Sequence, residues 1–428
     1  MNGQDMYKLA QRLFPIPRSI TGKGVRDSLA IIKEYVPELE IHETPTGTQV
    51  FDWTIPQEWE INEAYIEDSK GNRIIDFAEH NLHVLGYSEP IDKYVSLEEL
   101  LEYVYVDEAR PGAIPYVTSY YKKRSGFCMS KNQRDSLKQD TYHMYIDSKL
   151  KDGFLTYADV VIPADSEHPK GKEIYFSTYI CHPSMANNEC SGPCLMVALI
   201  DAVKKMKNRK YDYRFYIGPE TIGSINYLAH NLKTLQDKMA AGFVLTCEGD
   251  NRVYSYIPSR EGDTLADRVA LNVLKHHSKD YLRFTFLDRA SDERQYCAPG
   301  VDLPVCCVCR SRCAGYPEYH TSDDDLTVIS PEGFDGSLQV YTKIINALEY
   351  NENYKVTCFC EPQLGKRGLY PTVSKRGSYD EVAAMRHLIA YADGKRDLLQ
   401  ISEKIGQPID VLIPVIDRML SESLFEIV

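Results

Sequence analysis

The sequence predicts an α/β protein: a mostly parallel sheet with helices on both faces, an inserted antiparallel β domain and a C-terminal winged-helix module. Three observations support this class. After residue 171, apolar strand-like runs alternate with helical patterns, which is typical of a parallel sheet. Short β-rich runs separated by turn residues occupy residues 46–170. Three helical patterns and a short strand follow residue 366.

The N-terminal segment, residues 1–45, is predicted to be helical, because its apolar residues Leu29, Ile32 and Tyr35 fall near one helix face. From Thr46 the pattern changes to short strands, and a single helix at residues 96–104 interrupts them. The further strands are predicted at residues 113–117, 142–146 and 154–162. We therefore assign residues 46–170 to a mostly antiparallel β domain inserted into the core.

Residues 171–365 carry the alternating α/β pattern and form the predicted core together with residues 1–45. The predicted strands cover residues 174–181, 213–217, 242–247 and 303–309, and the helices cover residues 191–206 and 224–232. In such sheets, functional residues collect beyond the carboxyl ends of the strands. Residues 366–428 are assigned to the winged-helix module, with helices at 380–391, 398–405 and 409–421 and a strand at 424–428.

The charge of the chain excludes some partners. Its 428 residues carry a net charge of −13, which disfavours a broad nucleic-acid or anionic-membrane surface. From Arg376 onward, six Lys or Arg stand against nine Asp or Glu, so we expect the winged helix to bind a protein partner or a second copy of the chain rather than DNA. The β domain is a second candidate for such association. No apolar run approaches the roughly 20 residues that span a bilayer.

The cysteines indicate a reducing compartment. Most of the twelve lie in apolar runs, so we expect buried free thiols rather than disulfides. Neither Cys306 with Cys309 nor Cys358 with Cys360 has a second pair at structural-zinc spacing. With no signal-peptide pattern at Met1 and the residues after it, a cytoplasmic location is expected.

Three polar residues follow predicted strands or lie in loops suited to chemistry. His182 ends the strand at 174–181 and is placed to bind a metal, or is a hydrogen-bonded structural histidine. Glu220 follows a strand on a Gly-Pro turn and is either a general base toward an activated water or an acid at a helix N-terminus. His320 precedes an acidic run, which either orients its imidazole for a metal or forms a solvated loop. His80 and His83 are expected to be structural.

Taken in order, these segments resemble the zinc aminopeptidase and glutamate carboxypeptidase family. His182 matches the family's strand-end histidine, Glu220 with Gly223 matches its catalytic glutamate, and His320-Thr321-Ser322-Asp323 matches its late histidine motif. The whole layout is similar to bacterial aminopeptidase-like proteins with an inserted β domain and a C-terminal winged helix. The phrases that carry this closer resemblance are Arg18-Ser19-Ile20-Thr21-Gly22 and Phe51-Asp52-Trp53.

The resemblance also locates the metal ligands, with departures. The family's metal-bridging aspartate falls on Asn188, whose neutral amide offsets two dications poorly, and Glu189 could replace it only if the loop shifts by one residue. The family's second glutamate falls on Thr221. The ligand after the next strand is either Glu248 or Asp250, and we favour Asp250. The implied zinc ligands are His182, Asn188, Asp250 and His320, which favour one ion over two.

The activity that the resemblance implies is a zinc-dependent aminopeptidase acting on a peptide or a small amide. Glu220 would take the proton of a zinc-activated water and pass it to the leaving amine. Asp292 lies in a segment that looks like the family's Ser-Asp-His loop and is expected near the substrate. Arg260 and Arg18 are candidates for holding an anionic substrate end, or else they form structural ion pairs.

Two alternatives to a peptidase stay open. The same residues would serve an amide hydrolase that acts on an amino-sugar or polysaccharide precursor. A pseudoenzyme that binds a ligand without turnover is favoured by Asn188 and Thr221, whereas the retention of His182, Glu220 and His320 speaks against it.

Overall fold

The computed structural model describes residues 1–369 and 382–428, which divide into two compact units. The first unit comprises Met1–Gly262 with Leu282–Leu338, and the second comprises Asp263–Tyr281 with Gln339–Val428. The domain boundaries drawn from the sequence divide the chain more finely and stay a prediction.

The helices of the described residues vary from one turn to more than five turns. They are α1 (Gly3–Leu13), α2 (Lys23–Tyr35), α3 (Leu97–Leu101), α4 (Lys131–Asp135), α5 (Ser191–Lys205), α6 (Ile222–Lys238), α7 (Leu265–His277), α8 (Glu293–Tyr296), α9 (Pro331–Tyr350), α10 (Ala383–Tyr391), α11 (Leu398–Ile405) and α12 (Ile409–Ser421).

The strands of the described residues form five separate sheets. They are β1 (Glu40–Pro45), β2 (Gln49–Val50), β3 (Trp53–Thr54), β4 (Glu58–Glu67), β5 (Arg73–Asp76), β6 (Ile91–Ser96), β7 (Val104–Tyr105), β8 (Phe127–Cys128), β9 (Thr141–Lys151), β10 (Phe154–Ile162), β11 (Glu173–Tyr179), β12 (Asp212–Gly218), β13 (Met239–Leu245), β14 (Ser255–Ile257), β15 (Leu282–Arg283), β16 (Val305–Cys309), β17 (Asn353–Val356), β18 (Asp393–Asp397) and β19 (Phe425–Ile427).

The first unit is organised around an eight-stranded sheet with the strand order β1-β10-β12-β11-β13-β16-β14-β15. The four central strands β12, β11, β13 and β16 run parallel, whereas β1, β10 and β14 make the antiparallel pairs on either side of them. Every residue of β11 and β16 is buried, as expected where helices cover both faces. The predicted α/β class is confirmed, and the sheet is mixed with a parallel centre.

Strands β1 and β10 belong to this sheet, although the sequence placed β1 in a helical segment and β10 in the inserted β domain. Strand β10 pairs antiparallel with both β1 and β12. Strand β1 lies at the edge of the sheet and buries only Thr44. A strand with one buried residue carries no period-two hydrophobic signal, so its sequence could not reveal it.

The residues of the predicted β domain also form a four-stranded antiparallel sheet with the order β5-β4-β9-β6. Buried and less buried residues alternate along β9, so one face of the sheet packs into the core of the first unit. The strand predicted at residues 113–117 is absent from the described structure, where only an isolated bridge joins Pro115 to Thr321. Proline has no N–H to give to a strand ladder, which explains the difference.

Helix α5 follows a π-helical turn at Ala186–Cys190 and begins in close contact with the sheet. A Cβ at Gly192 would lie 2.3 Å from Thr178 Oγ1 and 2.4 Å from the Leu245 carbonyl oxygen. Only glycine therefore allows this approach, which brings the π turn beside the carboxyl ends of β11 and β13. Turns of this type recur at functional sites.

The second unit contains the winged helix. Helices α11 and α12 have the predicted bounds, and α10 begins at Ala383, while Asp380 and Glu381 at the start of the predicted helix lie outside the described residues. The sheet β18-β17-β19 completes the unit. A capping box of Asp397 with Gln400 begins α11.

The cysteines are mostly buried, as the sequence predicts. Ten cysteines are buried as free thiols, and Cys358 and Cys360 are exposed. Among the described residues, none of the helices combines the length and the apolar character that crossing a bilayer requires.

Candidate active site

A cleft of about 400 Å³ in the first unit contains residues that directly follow the central strands. Cys181 and His182 come just after β11, and Glu220 and Thr221 come just after β12. The remaining lining residues are Ile20, Trp53, Tyr116, Thr118, Tyr120, Tyr121, Arg294 and His320. The cleft therefore brings together His182, Glu220 and His320, which are far apart in the sequence.

His182 is buried, and both of its ring nitrogens are placed by neighbours. Nδ1 donates to Glu189 Oε2 at 2.8 Å and lies 3.2 Å from Cys181 Sγ, while Nε2 lies 3.8 Å from Glu220 Oε2. Burial alone lowers the pKa of His182, but Cys181 and Glu189 raise it, and the net direction is upward. The Glu189 carboxylate thus holds the imidazole with Nε2 toward Glu220.

Arg18 and Glu189 form the buried support of His182. Glu189 Oε1 accepts the N–H of Cys181 and lies 3.8 Å from Arg18 Nε. Neither side chain has exposed surface. Arg18 donates to the carbonyl oxygens of His182 at 3.0 Å and Leu13 at 2.5 Å. The sequence suggested Arg18 for an anionic substrate end, but a fully buried guanidinium bonded to these carbonyls serves instead to position the His182 segment.

His320 lies beside His182, with ring centroids 5.4 Å apart. Its backbone has a φ of +58°, which is uncommon outside glycine and recurs at functional sites. Its ring stacks on Tyr319 at a centroid distance of 3.8 Å, and its Nε2 is buried with no hydrogen-bond partner among the described residues. Burial and the neighbouring His182 lower the pKa of His320 to about 3, so the ring is neutral and its electron pair is available.

Glu220 is placed by a strained turn. Thr221 has a φ of +64°, and its N–H donates to Asp292 Oδ1 at 2.8 Å, where Ser224 Oγ also donates at 2.9 Å. Burial raises the pKa of Glu220, against the effect of His182 and Arg294. Burial and the Glu220 charge raise the pKa of Asp292 to about 7. Two neighbouring carboxyl groups with raised pKa values are typical of acid–base chemistry.

Asp292 was expected near the substrate. It is not among the residues that line the cleft, and it is fully buried beneath the turn at Thr221. Asp292 therefore holds the turn that carries Glu220.

Asp250 is occupied by protein donors. Its two carboxylate oxygens accept four hydrogen bonds of 2.9–3.0 Å, from Asn187 Nδ2, the Arg252 N–H, the Ser311 N–H and Ser311 Oγ. A carboxylate with four protein donors has little capacity left for a metal ion. The structure therefore places Asp250 as a support for the Asn187 loop rather than as a free ligand.

Asn188 lies on the π turn between two anchors. Its Nδ2 donates to Tyr179 OH at 2.9 Å, and its backbone N–H donates to Asp324 Oδ2 at 3.0 Å. Its Oδ1 is buried and has no hydrogen-bond partner among the described residues. Burial raises the pKa of Asp324 to about 6. Asp324 holds this turn from the loop that carries His320, a role that the sequence did not indicate.

Arg260 and the remaining predicted histidines lie outside the cleft lining. Arg260 is paired with Asp302 and, at 3.3 Å, with Glu261. His80 Nδ1 accepts the Leu82 N–H at 3.1 Å, and His83 Nδ1 donates to the Cys128 carbonyl at 2.8 Å. These contacts are structural.

The chain belongs to the family described as a domain of unknown function, DUF4910, which it matches over residues 7–351. Residues 352–427 match a winged helix-turn-helix family. The second match confirms the predicted C-terminal winged-helix module.

A Clostridium acetobutylicum protein is 44% identical over 407 residues, covering 94% of this chain and 92% of its own length, and its name proposes a polysaccharide biosynthesis protein with an aminopeptidase-like domain. A crystal structure of a proposed peptidase from Clostridium acetobutylicum has 41% identity and a TM-score of 0.92, covering 100% of this chain and 96% of that one. A zinc aminopeptidase from Bacillus subtilis has a TM-score of 0.56 at 12% identity, covering 79% of this chain and 93% of that one, which shows the fold alone. The predicted resemblance to aminopeptidase-like proteins is confirmed.

Proposed function

We propose that the chain is a metal-dependent amide hydrolase of the aminopeptidase type, with Glu220 as general base and one zinc ion held by His182 and His320. The observation that carries this proposal is the convergence of three groups in one cleft. His182 Nε2 lies 3.8 Å from Glu220 Oε2, and His320 lines the same cleft.

In this proposal, a single zinc ion would be held by donor atoms of His182, His320 and Asn188. The hydrogen bond from His182 Nδ1 to Glu189 is the contact that commonly orients a metal-binding histidine. His320 Nε2 and Asn188 Oδ1 are buried atoms without hydrogen-bond partners among the described residues. Zinc bound by two imidazole nitrogens and one amide oxygen would have a fourth position open, which is the usual arrangement of a catalytic rather than a structural zinc site.

At the positions that the resemblance gives to a second ion, the donors are either engaged or uncharged. Asp250 is held by four hydrogen bonds, and the Thr221 hydroxyl accepts a hydrogen bond from Arg294. Asn188 carries no charge to offset two adjacent dications. We therefore propose one ion rather than two.

In the proposed reaction, the bound zinc supplies Lewis acidity toward the scissile carbonyl. Glu220 removes the proton of the attacking water and gives it to the leaving amine. Since burial raises the pKa of Glu220, its carboxylate is a stronger base than that of an exposed glutamate. Asp292 keeps the Glu220 turn in place through the Thr221 N–H.

The test is the variant Glu220→Gln, which keeps the size of the side chain and removes the base. We expect amide hydrolysis to fall by about 10²–10⁴-fold, the usual contribution of general base catalysis. The matched control is Glu261→Gln, because Glu261 is exposed and pairs with Arg260 outside the cleft lining. Full activity of the Glu220→Gln variant would exclude this role.

A second candidate substrate class is an N-acylated amino sugar or polysaccharide precursor. It is favoured by the 44% identical relative, whose name proposes polysaccharide biosynthesis. The same base and ion would cleave either amide, so the residues of the cleft do not separate the two. Assays of the wild-type protein on aminoacyl anilides and on N-acetylated amino sugars would do so.

A third candidate is a protein that binds its ligand without turnover, as the neutral Asn188 and Thr221 suggest. An absence of hydrolysis on both substrate sets, together with retained ligand binding, would support it.

A further inference from the structure

Arg294 is an arginine of the cleft whose guanidinium makes no ion pair with the described residues. Arg294 lines the cleft together with Glu220. Within the described part of the chain, no carboxylate oxygen lies within the 4.0 Å ion-pair distance of its guanidinium, whereas Arg260 is paired with Asp302 and Glu261. The nearby Glu220 carboxylate lies against His182, at 3.8 Å. The Arg294 charge opposes the rise in the pKa of Glu220 and Asp292 from a longer distance, and no carboxylate of the described residues contacts its guanidinium, which can therefore contact a ligand.

Two hydrogen bonds fix the Arg294 side chain. Its Nε donates to the Ser291 carbonyl at 2.9 Å, and its Nη2 donates to Thr221 Oγ1 at 3.0 Å. Its Nη1 has no acceptor among the described residues. A planar guanidinium held in this way is pre-organised for two parallel hydrogen bonds to a carboxylate.

Thr221 keeps an unfavourable backbone while it holds this arginine. A β-branched residue at a φ of +64° is a conformational outlier that costs energy. Its N–H binds Asp292 and its hydroxyl binds Arg294, so both polar groups of the residue serve the cleft. Because the strained backbone of Thr221 is kept where its hydroxyl binds Arg294, we take the placement of Arg294 to be functional.

Aromatic side chains form another part of the same cleft. Trp53, Tyr116, Tyr120 and Tyr121, here called the aromatic wall, all line it. Trp53 and Tyr121 pack edge to face at 5.3 Å, and the hydroxyls of Tyr116 and Tyr120 lie 2.6 Å apart. Tyr121 remains 63% exposed, which leaves apolar ring surface for a ligand. Such surfaces bind flat or apolar groups.

We propose that the ligand of this cleft is an anionic amide, namely an N-acyl compound whose carboxylate binds Arg294 and whose acyl group packs on the aromatic wall. Arg294 is thus a specificity-determining residue, and it takes the part that the sequence suggested for Arg18 or Arg260. The inference rests on the proposed function only for the hydrolysis of the amide bond. Binding of the ligand requires no hydrolysis.

The test is calorimetric titration of the full-length protein with N-benzoylglycine and with N-benzoylglycinamide. The two probes share their acyl group and differ in the carboxylate. We expect the carboxylate probe to bind at least about tenfold more tightly, the usual effect of a charge-assisted pair. A repeat with a zinc chelator separates binding at Arg294 from binding to a metal, and the preference should persist there.

Three variants test which residues produce the preference for the carboxylate probe. Arg294→Gln should abolish the preference for the carboxylate, while the matched Arg260→Gln control should retain it. Tyr121→Ala should weaken the binding of both probes by a similar factor. Melting curves of each variant establish that it is folded. If Arg294→Gln does not fold, the wild-type comparison still decides, because equal affinity for the two probes overturns the proposal.

The outcomes separate this inference from the proposed function. A carboxylate preference without hydrolysis of any amide supports the inference and contradicts the proposed function. Hydrolysis of amides by a protein that binds both probes equally, or whose preference survives in Arg294→Gln, contradicts the inference alone.

Discussion

At the residue scale, the presentation of His182 depends on buried charges that surround it. Glu189 accepts from His182 Nδ1, and Arg18 lies 3.8 Å from the other oxygen of Glu189. Removal of either charge would destabilise the fold strongly, because the remaining partner would be buried without compensation. The histidine is thus oriented by two groups that are not among the residues lining the cleft. In the proposed zinc site, the affinity for the ion would then depend on the other donors, among them Asn188.

We predict that Asn188→Asp increases zinc affinity by about tenfold or more, since a carboxylate attracts a dication where an amide only donates a lone pair. The hydrogen bond with Tyr179 can persist, with the tyrosine hydroxyl as donor. Competition with a chromogenic chelator measures the affinity, and the exposed Asn62→Asp is the control. Unchanged affinity would show that position 188 does not contact the ion.

His80 gives a pH dependence with a definite sign. Burial lowers its pKa from an ordinary 6.5 to about 4, so the folded state favours the neutral ring whose Nδ1 caps the turn at Leu82. The unfolded chain therefore binds more protons between these pH values. The contribution of the neutral His80 ring to the free energy of unfolding is fully present above pH 6.5 and is lost as the pH falls toward 4.

We predict that Asn at position 80, which can also cap, reduces the loss of stability between pH 7 and pH 5 by about 1–2 kcal/mol. Urea unfolding followed by tryptophan fluorescence measures this, because Trp53 and Trp59, the two tryptophans of the chain, lie in the first unit with His80. An equal pH dependence in wild type and His80→Asn would contradict the assignment.

At the scale of elements, the junction of α5 with β11 and β13 shapes the site. The π turn at Ala186–Cys190 supplies Asn188 and Glu189, and it directly precedes α5. Gly192 permits the close approach of that helix, with Thr178 and Leu245 less than a normal contact distance from any added Cβ. The site thus depends on one glycine that binds nothing.

Gly192→Ala is predicted to lower the free energy of unfolding by about 3 kcal/mol, because the added methyl group meets a backbone oxygen that cannot move freely. Gly112→Ala is the matched control, since nothing lies within 4 Å of a Cβ at that position. Urea unfolding measures both variants, and similar stabilities for the two would contradict the close approach.

Sequence patterns predicted these elements where apolar runs are long, as for the strand at residues 174–181, helix α5, and helices α11 and α12. They failed for β1, which buries one residue, and for residues 113–117, where Pro115 prevents a ladder. In the site, His182 and Glu220 were predicted from their positions after strands, and His320 from the motif His320-Thr321-Ser322-Asp323. Glu189, Arg294 and Asp324 could not be predicted, because their roles depend on a π turn and on partners from distant segments.

At the scale of the whole molecule, charge limits what the winged helix can bind. The chain carries −13, and the segment from Arg376 onward has more acidic than basic residues. Because DNA affinity comes largely from phosphate neutralisation, we expect this module to bind DNA weakly. A winged-helix fold alone therefore does not imply DNA binding.

We predict no salt-sensitive binding of the full chain to a fluorescent DNA duplex at low ionic strength. Fluorescence anisotropy with a salt titration measures it. Binding that weakens steeply as salt increases would show that basic residues form a phosphate-binding surface despite the net charge.

The central claim is a single catalytic zinc ion bound by His182 and His320. Its most direct test is the zinc content per chain of the purified full-length protein, measured by mass spectrometry beside the variant His320→Ala. We predict about one ion per wild-type chain and a clear loss in the variant. Two tightly held ions in the wild type, or an unchanged content in the variant, would contradict the claim.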